Sequence, residues 1–240
     1  GDGVNDVLAL KDADCGIAMA AGSDAAKQVA HIVLLDSNFE RMQDIVKEGR
    51  MIISNIERVS ALYLTKTIYS IILNIIFIIL GRSYPFIPIH ISLMSATMIG
   101  FPSFFLALEQ TESVTQNGFL KHVLRISLPG AITMVVEMLL VQILSSALGF
   151  ESGMTITYNL LIAGFVSAMV LIHVSSPLNN MRRILCAISI GMFILAVLWF
   201  PSILSMTTIF VWRLIFIFPL ILIGYVLIEK LTVLMKRVVK

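Results

Sequence analysis

The chain has 240 residues, of which 58% are hydrophobic and 13% are charged, and its mean hydropathy is +0.94. This composition excludes an ordinary soluble domain and is typical of a protein that crosses a membrane several times. The formal net charge of +2 says little by itself, and we expect no nucleic-acid partner. The two cysteines, Cys15 and Cys186, lie far apart in the sequence and do not indicate a disulfide framework.

The chain opens with the loop Gly-Asp-Gly-Val-Asn-Asp, which brings two carboxylates close together. Its two glycines permit a tight turn and the close approach of a ligand. Asp2 and Asp6 supply carboxylates and Asn5 supplies an amide, and Mg2+ takes such oxygen ligands together with phosphate and water. A helix that starts at about Asp6 would favour a phosphate at its N-terminus. The loop therefore indicates either a Mg2+ and phosphate site or a simple turn without chemistry.

The next segment predicts a small α/β unit. Helices at residues 7–13 and 24–30 alternate with apolar strands at residues 15–19 and 32–35, which is typical of a parallel sheet covered on both faces. The segment is shorter than the roughly 40 residues that an independent domain usually needs. We therefore expect the rest of the sheet to come from preceding sequence, and we expect this chain to be the C-terminal part of a larger protein.

From about residue 38 the pattern is helical, and it continues to about residue 80. Ser37 or Asn38 can cap this helix, its first half carries regularly spaced charges, and its second half is almost wholly apolar. At 1.5 Å per residue it would be roughly 65 Å long, about twice the thickness of a bilayer core. We therefore predict a cytoplasmic stalk at residues 39–58 and a first span at residues 59–80; the alternative is a plain membrane anchor.

Five further apolar segments predict a membrane domain over residues 59–240 with six spans. They are residues 89–108, 126–148, 158–174, 184–200 and 209–228. Basic residues cluster on one side of these spans: Lys47, Arg50, Arg58, Lys121, Arg125, Arg182, Arg183, Lys230, Lys236, Arg237 and Lys240. The opposite side holds Arg82. The positive-inside rule then places the N-terminal loop and the C terminus on the cytoplasmic side of a cell membrane, and we expect this membrane to be bacterial.

Three ordered stretches carry a resemblance to a known family. GDGVNDVLALKDADCGIAM is followed by SDAAKQVAHIVLLDSNF and then by EGRMIISNIERV. This string resembles the hinge segment of P-type cation-transporting ATPases over residues 1–60, and the later segments fit the family's last six membrane helices. The resemblance implies that residues 1–38 end a phosphorylation domain with a haloacid-dehalogenase-like α/β fold. Val7-Leu8 stands where the commonest family form has Ala-Pro, which points to a subgroup.

The resemblance also implies the roles of the loop residues. Asp2 would be a ligand of the catalytic Mg2+, Asn5 would contact the phosphoryl group, and Asp6 would hold the loop and its charge network. The implied cofactors are Mg2+ and ATP, and ATP would be bound mainly by a nucleotide domain that lies outside this sequence. Because the phosphorylated aspartate also lies outside it, we expect the chain alone to hydrolyse nothing.

Polar residues inside the spans are candidates for the transport site, because such residues are costly in lipid and are usually functional. Thr67, Ser70 and Asn74 follow the spacing of one helix face. In the second span Ser95 precedes Pro102, which removes a backbone hydrogen bond and frees carbonyls for ions. Glu137 in the third span is a candidate ligand or proton carrier, and a helix–helix hydrogen bond is the alternative.

The family resemblance narrows the transported substrate. Residues 81–88 resemble the animal calcium pumps of the endoplasmic reticulum, but Thr67, Ser70, Ser95 and Ile99 stand where those pumps have Asn, Glu, Asn and Asp. We therefore do not expect two calcium sites. One site remains, formed by Thr67, Ser70, Ser95 and backbone oxygens together with a glutamate on a helix outside this sequence. The stretch MIGFPSFFLALE most resembles the mycobacterial type E pumps associated with Ca2+, so Ca2+ is favoured.

Several alternatives stay open alongside Ca2+. Lys66 would act as a built-in counter-cation, or it would snorkel or pair. The substrate alternatives are Mg2+, another cation, a polyamine or a lipid. A non-catalytic membrane channel or scaffold with a remnant phosphatase-like segment is the alternative from another class. The expected partners are the transported cation, membrane lipid and the N-terminal part of the same chain.

Overall fold

The computed structural model describes residues 1–110, 118–207 and 215–238. The chain divides into two units, Gly1–Met51 and Ile52–Lys240.

The first unit is a small α/β arrangement. A short 3-10 helix, Val4–Asp6, leads into helix α1, Val7–Asp12. Strand β1, Ile17–Met19, helix α2, Asp24–Val29, and strand β2, Ile32–Leu34, follow. The two strands pair in parallel, as the alternating pattern predicted.

The core of the first unit is small and local. Leu10, Ala18 and Ala26 are buried against one another and come from α1, β1 and α2. Ser23 caps the start of helix α2: its hydroxyl accepts a hydrogen bond from the N–H of Ala26 at 3.2 Å and so satisfies one of the donors left free at a helix start.

Helix α3 spans Arg41–Ile79, a run of 39 residues without interruption. The turn before it is closed by Asn38, whose side-chain oxygen accepts from the N–H of Glu40 at 2.9 Å. A single long helix was predicted over these residues, and the structure confirms it.

The second predicted span is one membrane-crossing segment built from three helical pieces. Helix α4, Pro88–Met94, continues as a π-helix, Ser95–Gly100, and then as helix α5, Phe101–Ala107. The N–H of Phe101 donates to the carbonyl of Ala96, five residues back. Pro102 explains the wide turn, because its ring crowds the carbonyl four residues before it and it has no N–H to offer. The predicted break at this proline is therefore a widened helix.

Four more helices complete the second unit: α6, Phe119–Leu148, α7, Ser152–Val174, α8, Asn180–Trp199, and α9, Ile217–Val238. With α3 and the α4–α5 segment, the described residues contain six helices long and apolar enough to cross a membrane. The six predicted spans are confirmed, and the chain is a multi-pass membrane protein.

The helix limits differ from the predicted spans in a regular way. Helix α6 begins at Phe119 and α7 at Ser152, before the predicted starts at residues 126 and 158. A span predicted from apolar composition stops where polar residues begin, whereas the backbone hydrogen bonds continue past the hydrocarbon region. Residues 209–214 of the sixth predicted span, and Lys240, lie outside the described residues.

Helix α6 lies at the centre of the second unit and packs against α7 and α9. Two glycines allow close helix packing in this unit, one between α6 and α7 and the other between α7 and α8. A methyl group on Gly130 would lie 2.3 Å from the Val170 side chain, and one on Gly164 would lie 2.3 Å from the Phe193 ring. Small residues at such crossings let membrane helices approach closely, where dispersion contacts replace the missing hydrophobic drive.

Candidate functional site

The N-terminal loop is closed by the carboxylate of Asp6. One of its oxygens accepts from the N–H of Asp2 at 3.0 Å and from the N–H of Gly3 at 3.2 Å. These backbone donors, Gly3 first, stabilise the charged carboxylate and hold the pKa of Asp6 below its ordinary value. Asp6 is therefore ionised at neutral pH and fixes the shape of the turn that carries Asp2 and Asn5.

The same loop is attached to the end of strand β1. The carbonyl of Asp2 accepts from the N–H of Ser23 at 2.7 Å, and the carbonyl of Gly1 accepts from the N–H of Met19 at 3.3 Å. A methyl group on Gly22 would lie 2.6 Å from the Asp2 carbonyl oxygen, so this contact requires glycine. The loop thus lies at the carboxyl edge of a parallel sheet, where ligands bind in open α/β sheets.

The side chains of Asp2 and Asn5 are exposed on this loop. Within the described residues no group of three or more His, Cys, Asp and Glu side chains could hold a metal ion. Mg2+ needs only one or two carboxylates and takes its remaining ligands from phosphate and water. Asp2 therefore fits as a single protein ligand of Mg2+, with Asn5 beside it as a polar contact for a phosphate.

In the membrane unit, Lys66 of α3 reaches the π-helix. Its ammonium donates to the hydroxyl of Ser95 at 2.7 Å, and that hydroxyl donates to the carbonyl of Ile91. Beside this pair is a cavity of about 20 Å3, roughly the space of one water molecule. Residues of α3, the α4–π segment, α6 and α7 line it, among them Thr65, Tyr69, Met98, Met134 and Ser167.

The structure does not bring the other predicted residues of α3 to this cavity. Thr67 and Asn74 are exposed, and each bonds a carbonyl of its own helix: Thr67 to Tyr63 at 3.0 Å and Asn74 to Ser70 at 2.8 Å. Ser70 is half-buried and bonds the side chain of Tyr84. Neighbours on a helix point about 100° apart, so the face of Thr67 differs from the face of Lys66. Of the predicted membrane residues, Ser95 is connected to this cavity through its hydrogen bond with Lys66, which lines it.

Glu137 lies elsewhere in the unit. It is 0% exposed, and its carboxyl faces Gly224 of α9, where a methyl group would lie 3.0 Å from one carboxyl oxygen. It does not line the Lys66–Ser95 cavity.

A buried charge cluster at one end of the helices was not predicted. Glu109 and Arg182 are only 7% and 2% exposed. The Arg182 guanidinium donates to the Glu109 carboxylate at 2.7 Å and to the Pro177 carbonyl at 2.8 Å. Asn179, which also caps α8, donates to Glu109 at 2.7 Å. We call Glu109, Arg182 and Asn179 the junction cluster.

Helix α3 is bound to the same region. The amide of Asn55 donates to the carbonyl of Glu109 at 2.7 Å. The guanidinium of Arg58 donates to the carbonyls of Val174 and Ser176 at 3.2 and 3.1 Å. The end of α5, the α7–α8 connection and α3 are therefore tied together. Local periodicity gave no sign of this because the paired residues are far apart in sequence; the only signal was a glutamate at the end of an apolar segment.

Comparison with known proteins gives the family context. No family model matches the chain. The probable cation-transporting ATPase exp7 of Streptococcus pneumoniae is 36% identical over 211 residues, which cover 85% of this chain. The calcium-transporting ATPase CtpE of Mycolicibacterium smegmatis is 46% identical over 142 residues, 55% of the chain. The human potassium-transporting ATPase alpha chain 2 is 46% identical over 123 residues, 51% of the chain.

The matched regions are small parts of these relatives. They cover 27% of the pneumococcal protein, 18% of the mycobacterial protein and 12% of the human protein. The chain thus spans about a quarter or less of the length of the relatives it matches. The resemblance predicted from the sequence is confirmed.

Proposed function

We propose, from the homology of this chain to the P-type cation-transporting ATPases, that it is the C-terminal part of an ATP-driven cation pump. The observation that carries the proposal is the 36% identity to the pneumococcal ATPase over 85% of the chain, a stretch too long to be confined to the loop or to the membrane helices. A channel or scaffold without catalysis would not need the closed Asp6 loop that precedes these helices in the sequence.

In this proposal Asp2 contributes a ligand to the Mg2+ of phosphoryl transfer and Asn5 contacts the phosphoryl oxygens. Asp6 acts on the loop, where its two backbone hydrogen bonds keep Asp2 and Asn5 in place. Bound Mg2+ would offset negative charge on the transferring group. ATP and the phosphorylated aspartate belong to parts of the protein outside this sequence.

The domain organisation is part of the same proposal. Residues 1–38 end a haloacid-dehalogenase-like phosphorylation domain, residues 39–58 form a cytoplasmic stalk, and residues 59–240 form the membrane domain. The parallel pairing of β1 and β2 supports the first assignment. The basic residues on alternate loops support an N-terminal loop and a C terminus in the cytoplasm. The continuous helix α3 would carry movement between stalk and membrane.

Ca2+ is the proposed transported ion. A relative named as a calcium-transporting ATPase is 46% identical over 142 residues. The π-helix and Ser95 offer backbone and hydroxyl oxygens, which are the ligands of a hard cation. The Lys66 ammonium already bound to Ser95 would supply a positive charge when the ion leaves.

The test uses the full-length protein reconstituted in liposomes. ATP hydrolysis should rise with micromolar Ca2+ and not with added Mg2+, K+ or polyamines beyond the Mg2+ needed for ATP. Stimulation by one of the other substrates, or by lipid composition alone, would remove the ion assignment while leaving the pump.

The catalytic assignment has its own variant pair. Asp2→Asn should abolish turnover of the phosphorylated enzyme, because it removes the proposed Mg2+ ligand. Asp12→Asn is the matched control, since Asp12 is an exposed carboxylate at the end of α1. Equal ATPase activity in the two variants would contradict the role given to Asp2.

A further inference from the structure

We propose that Glu137 is a proton-binding site inside the membrane unit, separate from the Lys66–Ser95 site. It holds a proton while α6 and α9 are in contact, and it exchanges that proton only when this contact opens. Proton binding at Glu137 does not require the pump function, because it depends on the surroundings of the carboxyl group alone.

Burial without a partner is the first observation. Glu137 is 0% exposed, and neither of its carboxyl oxygens has a hydrogen-bond partner among the described residues. An ionised carboxylate with no donor is very costly in an apolar interior, so such a group takes up a proton instead. Glu109 shows the contrast, because its buried carboxyl group is paired with the guanidinium of Arg182 at 2.7 Å.

Among the residues that the structure describes, none forms a hydrogen bond or an ion pair with the Glu137 carboxyl. On the same helix as Glu137, the hydroxyl of Thr133 donates its hydrogen bond to the Pro129 carbonyl at 2.8 Å. Gly224 of α9 faces the carboxyl, and the Phe165 ring of α7 is near the same point, since a methyl group on Gly224 would lie 3.5 Å from it. No ion pair to Glu137 forms within residues 1–110, 118–207 and 215–238.

The helices packed around α6 carry other titratable groups. On α7 and α9, His173 and Glu229 pair with each other at 3.1 Å. On α3, the Lys66 ammonium is bound to Ser95. The other titratable groups on these helices are Arg41, Asp44, Lys47, Glu48, Arg50, Glu57, Arg58, Tyr63 and Tyr69 on α3, Tyr158 on α7, and Tyr225, Lys230, Lys236 and Arg237 on α9.

The position of Gly224 explains why exchange needs movement. One carboxyl oxygen of Glu137 lies so close to the α9 backbone that even a methyl group there would come within 3.0 Å. Water therefore has no room between the carboxyl and α9 in this packing. A proton can enter or leave only when α9 separates from α6, which makes this helix contact the gate of the site.

Infrared spectroscopy of the purified full-length protein without ATP tests the proposal directly. The wild type should show the carbonyl stretch of a protonated carboxylic acid at neutral pH, and Glu137→Gln should lose it. Glu151→Gln, which removes an exposed carboxyl, should leave the band unchanged. Identical spectra for the wild type and Glu137→Gln would overturn the proposal.

A second measurement leaves Glu137 unchanged and so does not require that Glu137→Gln folds. On transfer to D2O, the acid band should shift slowly, over the time that α9 takes to open. Gly224→Ala crowds the carboxyl and should speed the shift by at least tenfold relative to the wild type. A shift complete at the first time point in the wild type would overturn the gating by α9.

Discussion

The junction cluster permits a quantitative prediction about stability. Replacing Arg182 by methionine leaves the buried Glu109 carboxylate without its cation, and replacing Glu109 by leucine leaves the guanidinium without its anion. Both side chains are more than nine-tenths buried, so solvent gives little compensation. Removal of one partner of such a pair typically costs about 3–5 kcal/mol.

The double variant decides whether the cost belongs to the pair. If the two effects were independent, Glu109→Leu with Arg182→Met would cost about 6–10 kcal/mol, the sum of two losses of about 3–5 kcal/mol. Two apolar side chains leave no stranded charge, so the pair itself costs little to replace. The Ser175 and Pro177 carbonyls lose their donor and Asn179 loses its acceptor, so we expect a net cost of about 1–3 kcal/mol.

Thermal unfolding of the detergent-solubilised full-length protein measures these differences. Each single variant should lower the unfolding temperature by a few degrees, because the shift per kcal/mol becomes smaller as the chain becomes longer, and the double variant should recover about half of that loss. Arg183→Met is the matched control, because Arg183 is the next residue on α8 and is exposed. If Arg182→Met shifts the temperature no more than Arg183→Met, or if the single losses simply add, the argument from the buried pair is wrong.

Three further predictions concern the first unit. Gly22→Ala should destabilise the loop by about 1–3 kcal/mol, because the new methyl group would meet the Asp2 carbonyl. Gly49→Ala is the matched control: nothing lies within 4 Å of the new methyl group, so it should stabilise α3 by about 0.5–1 kcal/mol. Hydrogen exchange of the loop and of α3 distinguishes the two outcomes. Ser23→Ala should cost about 1 kcal/mol at the start of α2, and Ser23→Thr should restore it in the same assay; equal losses would contradict the cap. Because the pKa of Asp6 is lowered in the folded loop, the stabilisation that its carboxylate gives is present above the ordinary carboxyl pKa and is lost as pH falls through the folded pKa. In the wild type, protection of the Gly3 amide from hydrogen exchange should fall in that pH range. Asp6→Asn should lack this protection already at neutral pH.

The first unit was largely predictable because its signals are local. Ser23 marks the start of α2, and the short apolar runs on either side of that helix became strands β1 and β2. The six membrane helices were equally predictable, because hydrocarbon leaves a backbone few alternatives to a helix. In both cases the information lies within one turn or one span.

The features that the sequence did not predict depend on contacts between residues that are distant in the sequence. The spacing of Thr67, Ser70 and Asn74 correctly indicates neighbouring helix positions, but only packing decides that Lys66 is the residue that reaches Ser95. Pro102 predicts a broken helix, yet the choice of a π-helix depends on which carbonyl accepts the Phe101 N–H. Nothing near Arg182 in sequence indicates that it would be paired with Glu109.

The attachment of α3 at Arg58 makes this helix a lever with a fixed point. Lys66 lies eight residues further along, about 12 Å at the helical rise. A tilt of about 5° around Arg58 would therefore displace the Lys66 backbone by about 1 Å, enough to stretch its 2.7 Å bond to Ser95 beyond hydrogen-bonding distance. At Ile79 the same tilt would displace the backbone by nearly three times as much. A rotation too small to disturb the packed core would thus switch the polar contact at the π-helix on or off.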